Sequence, residues 1–286
     1  MEIKKVGVVG CGLMGSGISE VCAQSGYRVV VSEINDELLN KGLASISTRL
    51  AKKVEKGKLY AEEKDNALSR IIGTINTQDF SDCDLIIEAV IEKVEAKRKV
   101  FAELDKICTK DTILATNTSV LSIIEIAEAT RRPDKVLGLH FFNPVPVMEL
   151  VEAIKTIATS EDTLSVATKF VKSLGKTVII AKDTPGFVVN RQLAPFLFNA
   201  IRMLEDGVAN REDIDAGIKL GLNHPLGPLE LADFIGLDTV YFGAIDMYDK
   251  FKEPQYAPPV LLGKMVAAGW LGRKTGKGFY DYDKPE

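Results

Sequence analysis

The chain has 286 residues, 46% hydrophobic and 27% charged, which excludes disordered, collagen-like and mucin-like classes and suits one large or two medium domains. Thirty-six basic against forty acidic residues leave a net charge of −4, and aromatics are 7%, so nucleic acid, which needs a basic surface and stacking platforms, is not an expected partner. No apolar run reaches the roughly 18 residues of a membrane span, and the opening MEIKKVGVVGCG lacks the form of a signal peptide, so no membrane association is expected.

Residues 4–10 (KKVGVVG) predict a buried strand. A helix follows over 14–25, and Gly26 stops it before a second strand at 27–33. Strand, helix and strand at these lengths form a βαβ unit, which requires a parallel sheet. Two helical segments, 36–56 and 60–70, then stand where one short crossover helix is usual. Strands are predicted at 71–75, 84–89, 112–116, 136–140, 148–153 and 176–181, with helices at 93–108, 120–129 and 162–174. Beyond them residues 187–206, 211–220, 227–251 and 258–268 all read as helices. Pro195 inside the first of these predicts a kink or a restart. The Pro-Gly junction KDTPGF at 182–187 marks a boundary. The expected fold is α/β: a doubly wound sheet of Rossmann type with a helical insertion in residues 1–183, then an all-α domain in 184–286.

Gly10, Cys11, Gly12, Leu13, Met14 and Gly15 match G-x-G-x-x-G between the first strand and the first helix. Gly10 permits the tight turn, Gly12 admits a pyrophosphate close to the backbone, and Gly15 lets helix pack on sheet. The helix N-terminus then offers free N–H groups to phosphates. Glu33 ends the second strand, 18 residues after Gly15, where an acid takes the ribose hydroxyls of a dinucleotide. A carboxylate there repels a 2′-phosphate, so NAD(H) is favoured over NADP(H), although Ser32 beside it tolerates a phosphate. Cys11 reads as a small residue at a variable loop position. Cys11, Cys22, Cys83 and Cys108 are scattered without a CxxC, so reduced cytoplasmic thiols are expected and no metal site.

Only His140 and His224 supply an imidazole. His140 ends a predicted strand, where open α/β sheets bind ligands. Glu152 follows twelve residues later in the apolar run MELVEAI, where a carboxylate needs a partner. A strand returning after the Asn143-Pro-Val-Pro turn brings Glu152 beside His140 and fixes the imidazole as a base for a hydroxyl proton. The other reading is a core histidine bonded to backbone and an unrelated surface glutamate. His224, before Pro225 in a loop, reads as structural or interfacial.

These residues sit in a longer series of motifs: VGVVGCGLMGSGI (6–18), DLIIEAVIE (84–92), ATNTSVLSI (115–123), GLHFFNPVPVMELVE (138–152), DTPGFVVNR (183–191), NHPLGPLELADFIGLD (223–238) and GWLGRKTGKGFYDY (269–282). In this order and spacing the chain resembles the L-3-hydroxyacyl-CoA dehydrogenase family over essentially its whole length. It is most like that family's short bacterial 3-hydroxybutyryl-CoA dehydrogenase branch. The resemblance implies an NAD-dependent oxidoreductase that interconverts 3-hydroxyacyl-CoA and 3-oxoacyl-CoA, in fatty-acid or butanoate metabolism. It implies His140 as the catalytic acid/base, Glu152 as its dyad partner, and Ser119 and Asn190 as substrate-binding catalytic residues. It places Asn117, Asn143, Glu92 and Lys97 near the cofactor, with Lys274 reaching it from the tail.

The family binds the CoA tail at the helical insertion. Residues 41–58 carry Lys41, Arg49, Lys52, Lys53, Lys56 and Lys58 against Glu55 alone, and Lys52 and Lys56 share a helix face. Lys52 and Lys56 are therefore read as substrate-binding, with a solvated charged face as the plain alternative. The apolar helices after residue 186, with Trp270 and the GFYDY tail as packing elements, imply a homodimer, as the family pairs its helical domains. Two competing readings stay open: a two-domain β-hydroxyacid dehydrogenase acting on a free acid, and a non-catalytic NAD-binding relative of the lens-crystallin kind.

Overall fold

The computed structural model describes residues 2–282, which fall into two compact units divided between Thr184 and Pro185. In the first unit the chain runs β1 (Lys5–Val9), α1 (Leu13–Gln24), β2 (Arg28–Ser32), α2 (Asp36–Glu55), α3 (Ala61–Ser69), β3 (Ile71–Thr74) and β4 (Leu85–Glu88). It continues through α4 (Val94–Ile107), β5 (Ile113–Thr116), α5 (Ile123–Ala127), β6 (Val136–Phe141), β7 (Leu150–Lys155), α6 (Glu161–Ser173) and β8 (Thr177–Lys182). The eight strands form one sheet in the order β3-β2-β1-β4-β5-β6-β7-β8. Every neighbouring pair is parallel except β6 and β7. The doubly wound Rossmann-like sheet expected from the sequence is therefore present. The chain leaves β1 on one side for β2 and β3 and returns on the other for β4, so a switch point lies at the glycine loop.

Continuous apolar strands explain the double winding. Val6, Val8, Val31, Ile86 and Ile87 are buried, as strands covered by helices on both faces must be. The helical insertion is α2 and α3. Asn35 caps α2 by accepting the Leu38 N–H at 2.9 Å, and Asp36 and Glu37 suit its N-terminal dipole. Leu39, Ile46 and Leu50 bury one stripe of that helix in the core, which leaves its lysines on the outer faces.

The second unit packs α7 (Val189–Glu205), α8 (Arg211–Gly221), α9 (Pro228–Ile235), α10 (Leu237–Phe251) and α11 (Val260–Ala267) around Phe198, Ile201, Leu229, Leu237 and Leu262. Two expectations need correction. The single helix predicted over 227–251 is two, because Gly236 takes φ +102°, a conformation that no helix interior holds. Of the kink or restart expected at Pro195, the restart is absent: α7 runs as one helix through it. A proline in a helix interior costs about 3 kcal/mol. Leu197, Phe198 and Ile201 are fully buried just beyond it, and each such side chain gains roughly 1.5–3 kcal/mol, so packing wins.

Two buried aspartates fasten the tail of this unit. Asp233 accepts the N–H groups of Phe279 and Tyr280, both at 2.9 Å, and the Tyr282 hydroxyl at 3.0 Å. Asp215 accepts the Tyr280 hydroxyl at 2.9 Å and two N–H groups at the start of α9. Burial pushes the Asp233 carboxyl up, and burial with the Asp233 charge pushes the Tyr282 phenol up to about 12. The GFYDY segment is thus a packing element of the second unit.

Candidate active site

The glycine loop closes on itself between β1 and α1. Gly10 has φ +96°, and a Cβ at Gly15 would stand 1.8 Å from the Gly10 carbonyl oxygen, so neither position accepts a side chain. Gly12 differs: a Cβ there would meet nothing within 4 Å. Its lack of a side chain serves no packing inside the chain, and it leaves open the approach that a pyrophosphate needs over the first turn of α1. Glu33, just past β2, accepts the Cys11 N–H at 2.8 Å and the Ile34 N–H at 3.1 Å. The acid expected at the ribose therefore also ties the loop. Leu13 is exposed and Met14 half-buried beside it. The Cys11 thiol is pushed up to about 11 by burial, with the Glu33 charge adding to it, so it stays protonated and unreactive.

Antiparallel pairing of β6 and β7 places His140 directly opposite Glu152. The Nδ1 to Oε2 distance is 2.6 Å, with His140 6% exposed and Glu152 fully buried. A hydrogen on Nδ1 donated to that carboxylate leaves the lone pair on Nε2. The Phe142 ring centroid lies 4.4 Å from that of His140 and covers one side of the imidazole. The turn joining the strands contains a cis Asn143–Pro144 peptide, and Asn143 is exposed.

The loop after β5 carries the next group. Asn117 accepts the Phe141 N–H at 2.9 Å, so it ties the end of β5 to the residue after His140. Ser119 donates its N–H to Glu92 at 2.9 Å, and Thr118 donates its hydroxyl to the same oxygen. Glu92 is held in turn by Lys97 at 3.1 Å, and Lys97 also donates to Glu88 at 2.7 Å. Burial alone would raise the Glu92 carboxyl. Lys97 and the bonds from Thr118 and Ser119 outweigh it and hold the carboxyl below the usual range. Lys97 is only 1% exposed, with its amine between two carboxylates, so its bearing on the site runs chiefly through Glu92.

Four expected residues lie on other elements. Asn190 is the second residue of α7 and Lys274 lies near the tail, both in the second unit. Lys274 donates to both Asp238 oxygens at 2.5 and 2.6 Å. Lys52 on α2 and Lys56 at its C-cap are exposed. The basic patch is thinner than the count of charges suggested, because Arg49 and Lys53 are committed to Glu20 of α1, at 2.6 and 2.7 Å.

The sequence reading missed four residues that build the site. Glu88 and Thr116 belong to the buried network, with the Thr116 hydroxyl donating to Glu88 at 2.7 Å. An acid closing the apolar strand LIIE was the available signal for Glu88. Asp183 caps α5 from sixty residues away, accepting the N–H groups of Ile123 and Ile124 at 3.1 and 2.8 Å. Lys176 binds the turn between His140 and Glu152. Neither of the last two had a local signal.

Comparison with known proteins matches residues 5–184 to the NAD binding domain of 3-hydroxyacyl-CoA dehydrogenase and residues 186–282 to its C-terminal domain. A 3-hydroxybutyryl-CoA dehydrogenase of Bradyrhizobium diazoefficiens is 49% identical over 280 residues, covering 98% of this chain and 96% of that one. The human mitochondrial hydroxyacyl-coenzyme A dehydrogenase is 44% identical, covering 98% of this chain and 91% of its own. The crystal structure of (S)-3-hydroxybutyryl-CoA dehydrogenase from Ralstonia eutropha superposes with a TM-score of 0.96 at 46% identity, over 99% of this chain and 100% of that one.

Proposed function

The chain belongs to the 3-hydroxyacyl-CoA dehydrogenase family, and from that membership we propose that it interconverts (S)-3-hydroxybutyryl-CoA and acetoacetyl-CoA with NAD(H). The observation that carries the reading is the His140–Glu152 pair, fixed by strand register in a sheet that also bears the glycine loop and Glu33. When bound at that loop, the nicotinamide supplies the hydride chemistry. In oxidation His140 takes the proton of the 3-hydroxyl at Nε2, and Glu152 stabilises the imidazolium that results. In reduction the imidazolium returns that proton to the substrate oxygen. Ser119 in the first unit and Asn190 in the second are assigned to orienting that oxygen. Asn117, Asn143, Glu92, Lys97 and Lys274 are assigned to the surroundings of the cofactor, and Lys52 and Lys56 to the phosphates of the CoA tail. A non-catalytic binder would have no use for a buried dyad of this geometry.

No helix among the described residues is long and apolar enough to cross a membrane. Cytoplasmic residence and a homodimer formed through the second unit complete the proposal. Exposed Leu220, Phe234, Phe242 and Val260 on that unit support the self-association.

The deciding assay follows nicotinamide absorbance with acetoacetyl-CoA and NADH, with free acetoacetate and NADPH as controls. Rapid NADH loss with the CoA ester alone is expected. Turnover of the free acid at equal rate would move the reading to a β-hydroxyacid dehydrogenase, and no turnover with NADH bound would leave a non-catalytic protein.

Two substitutions probe the ligand assignments. Glu33→Ala removes the charge that repels a 2′-phosphate and the acceptor that holds Cys11 N–H. The ratio of kcat/KM for NADH over NADPH is expected to fall on the order of tenfold or more, since like-charge contacts cost upwards of 1 kcal/mol. An unchanged ratio would show that Glu33 is not the selector. Replacing Lys52 and Lys56 together by alanine should raise KM for acetoacetyl-CoA roughly threefold to tenfold at nearly constant kcat, the sign of lost uniform binding. The effect should shrink in high salt. A KM that does not move would route the CoA tail elsewhere.

A further inference from the structure

The turn between β6 and β7 decides whether His140 meets Glu152. A slip of one residue in an antiparallel pair sends the side chains to the opposite face. The turn has two bonds within itself, from Val147 and Met148 N–H to the Pro144 carbonyl at 2.9 and 3.0 Å. Three more come from the head of β8. The Lys176 ammonium donates to the carbonyls of Val145 and Met148 at 2.8 and 2.7 Å, and Thr177 N–H donates to the Glu149 carbonyl at 2.8 Å. Val145 is itself buried against α1, where a Cβ at Gly17 would come within 2.9 Å of the Val145 Cβ. The turn is therefore seated on the helix that opens at the glycine loop and held by Lys176.

We propose that Lys176 is a positioning residue for the dehydrogenase reaction: its ammonium bridges the Val145 and Met148 carbonyls and so fixes the register that sets His140 against Glu152. The proposal rests on His140 as the acid/base. The role suits a lysine. Two backbone carbonyls aimed at one point are met by a donor with several hydrogens, and an ammonium offers three. Each carbonyl then has a charge-assisted bond, stronger than a neutral one. Lys53, Glu149 and Cys22 are the other titratable groups that bear on Lys176. Lys53 is already committed to Glu20 and Gln24 and does not compete for the carbonyls, and burial pushes the Cys22 thiol up to about 12, so no thiolate draws the Lys176 ammonium away from them.

The test compares Lys176→Met and Lys176→Arg with the unaltered enzyme. Methionine keeps the apolar stem and removes the donors, whereas a guanidinium still spans two carbonyls. In acetoacetyl-CoA reduction kcat should fall about tenfold to a hundredfold in Lys176→Met, the scale of a small displacement at a reacting centre. KM and the Kd for NADH should stay within about twofold, and Lys176→Arg should recover most of kcat. A second readout needs no turnover. The low-field proton resonance of the hydrogen on His140 Nδ1, identified by its loss in His140→Ala, should shift or broaden in Lys176→Met and return in Lys176→Arg. An unaltered kcat in folded Lys176→Met, or an unmoved resonance, overturns the proposal. If the methionine variant does not fold, Lys176→Gln, with one amide donor group in place of the ammonium, is read against the same two criteria. Inactivity of the unaltered protein would count against the functional reading, while the resonance would still report whether Lys176 holds the dyad.

Discussion

His140→Ala is expected to lower kcat for acetoacetyl-CoA reduction by at least about a hundredfold, the lower end of what a positioned general acid contributes. The expectation follows from where the residue sits. His140 is nearly buried, its Nδ1 is 2.6 Å from Glu152, and its strand ends at the edge of the sheet where ligands bind. The first unit holds no other imidazole, because the second of the chain's two histidines, His224, lies exposed in the second unit beside Phe196. NADH affinity should hardly change, since the glycine loop joins β1 to α1 and Glu33 follows β2, away from β6 in the chain. Steady-state kinetics together with a fluorescence titration of NADH check both halves. A variant that keeps kcat within about tenfold of the unaltered enzyme would remove His140 from the proton transfer.

How far such residues can be read from a sequence depends on how local their cause is. The glycine loop was legible because strand, turn, helix and acid lie within thirty residues and each glycine has its own steric reason. The dyad was legible only as one of two alternatives. Twelve residues separate His140 from Glu152, and the spacing does not say that the chain returns antiparallel. The register between β6 and β7 settles the geometry. The cations of α2 show the limit of counting charge. Arg49 and Lys53 are four apart, and so are Lys52 and Lys56, yet one pair faces buried Glu20 and the other faces solvent. Only the core stripe of the helix tells them apart. Gly236 was missed because the apolar pattern continues across it and a lone glycine inside a helix is tolerated. The restart read at Pro195 fails because propensity was set against no estimate of burial. Roles for Ser119 and Asn190, and for Asn117, Asn143, Glu92, Lys97 and Lys274 near the cofactor, came from family resemblance, and no spacing in the chain would have supplied them.

Lys97→Met is expected to cost about 3–5 kcal/mol of stability at neutral pH, the range seen when one partner of a buried ion pair is removed. The family resemblance places this side chain near the cofactor, and in the structure it is 1% exposed and lies between Glu88 and Glu92. Glu88 is fully buried and keeps its bonds from Thr116 and Val90 N–H in the variant, while its cation is gone. Methionine fills the stem and leaves that charge uncompensated, so the loss is electrostatic and not a cavity. The pH dependence follows from Glu92. Its folded-state carboxyl lies below its ordinary value of 4.5, with Lys97 the chief cause once burial is overcome. A depressed carboxylate contributes stability that is complete above the ordinary value and lost as pH falls through the folded one. Removing Lys97 removes most of that contribution, so the gap between the two proteins should narrow as pH drops below about 4.5. Urea midpoints at neutral and at acid pH measure it. A gap under about 1 kcal/mol at neutral pH, or one that widens in acid, would contradict the pairing. The same variant loosens Glu92, which accepts the Ser119 N–H, so a fall in kcat at unchanged NADH affinity would tie this buried cation to the substrate side of the site.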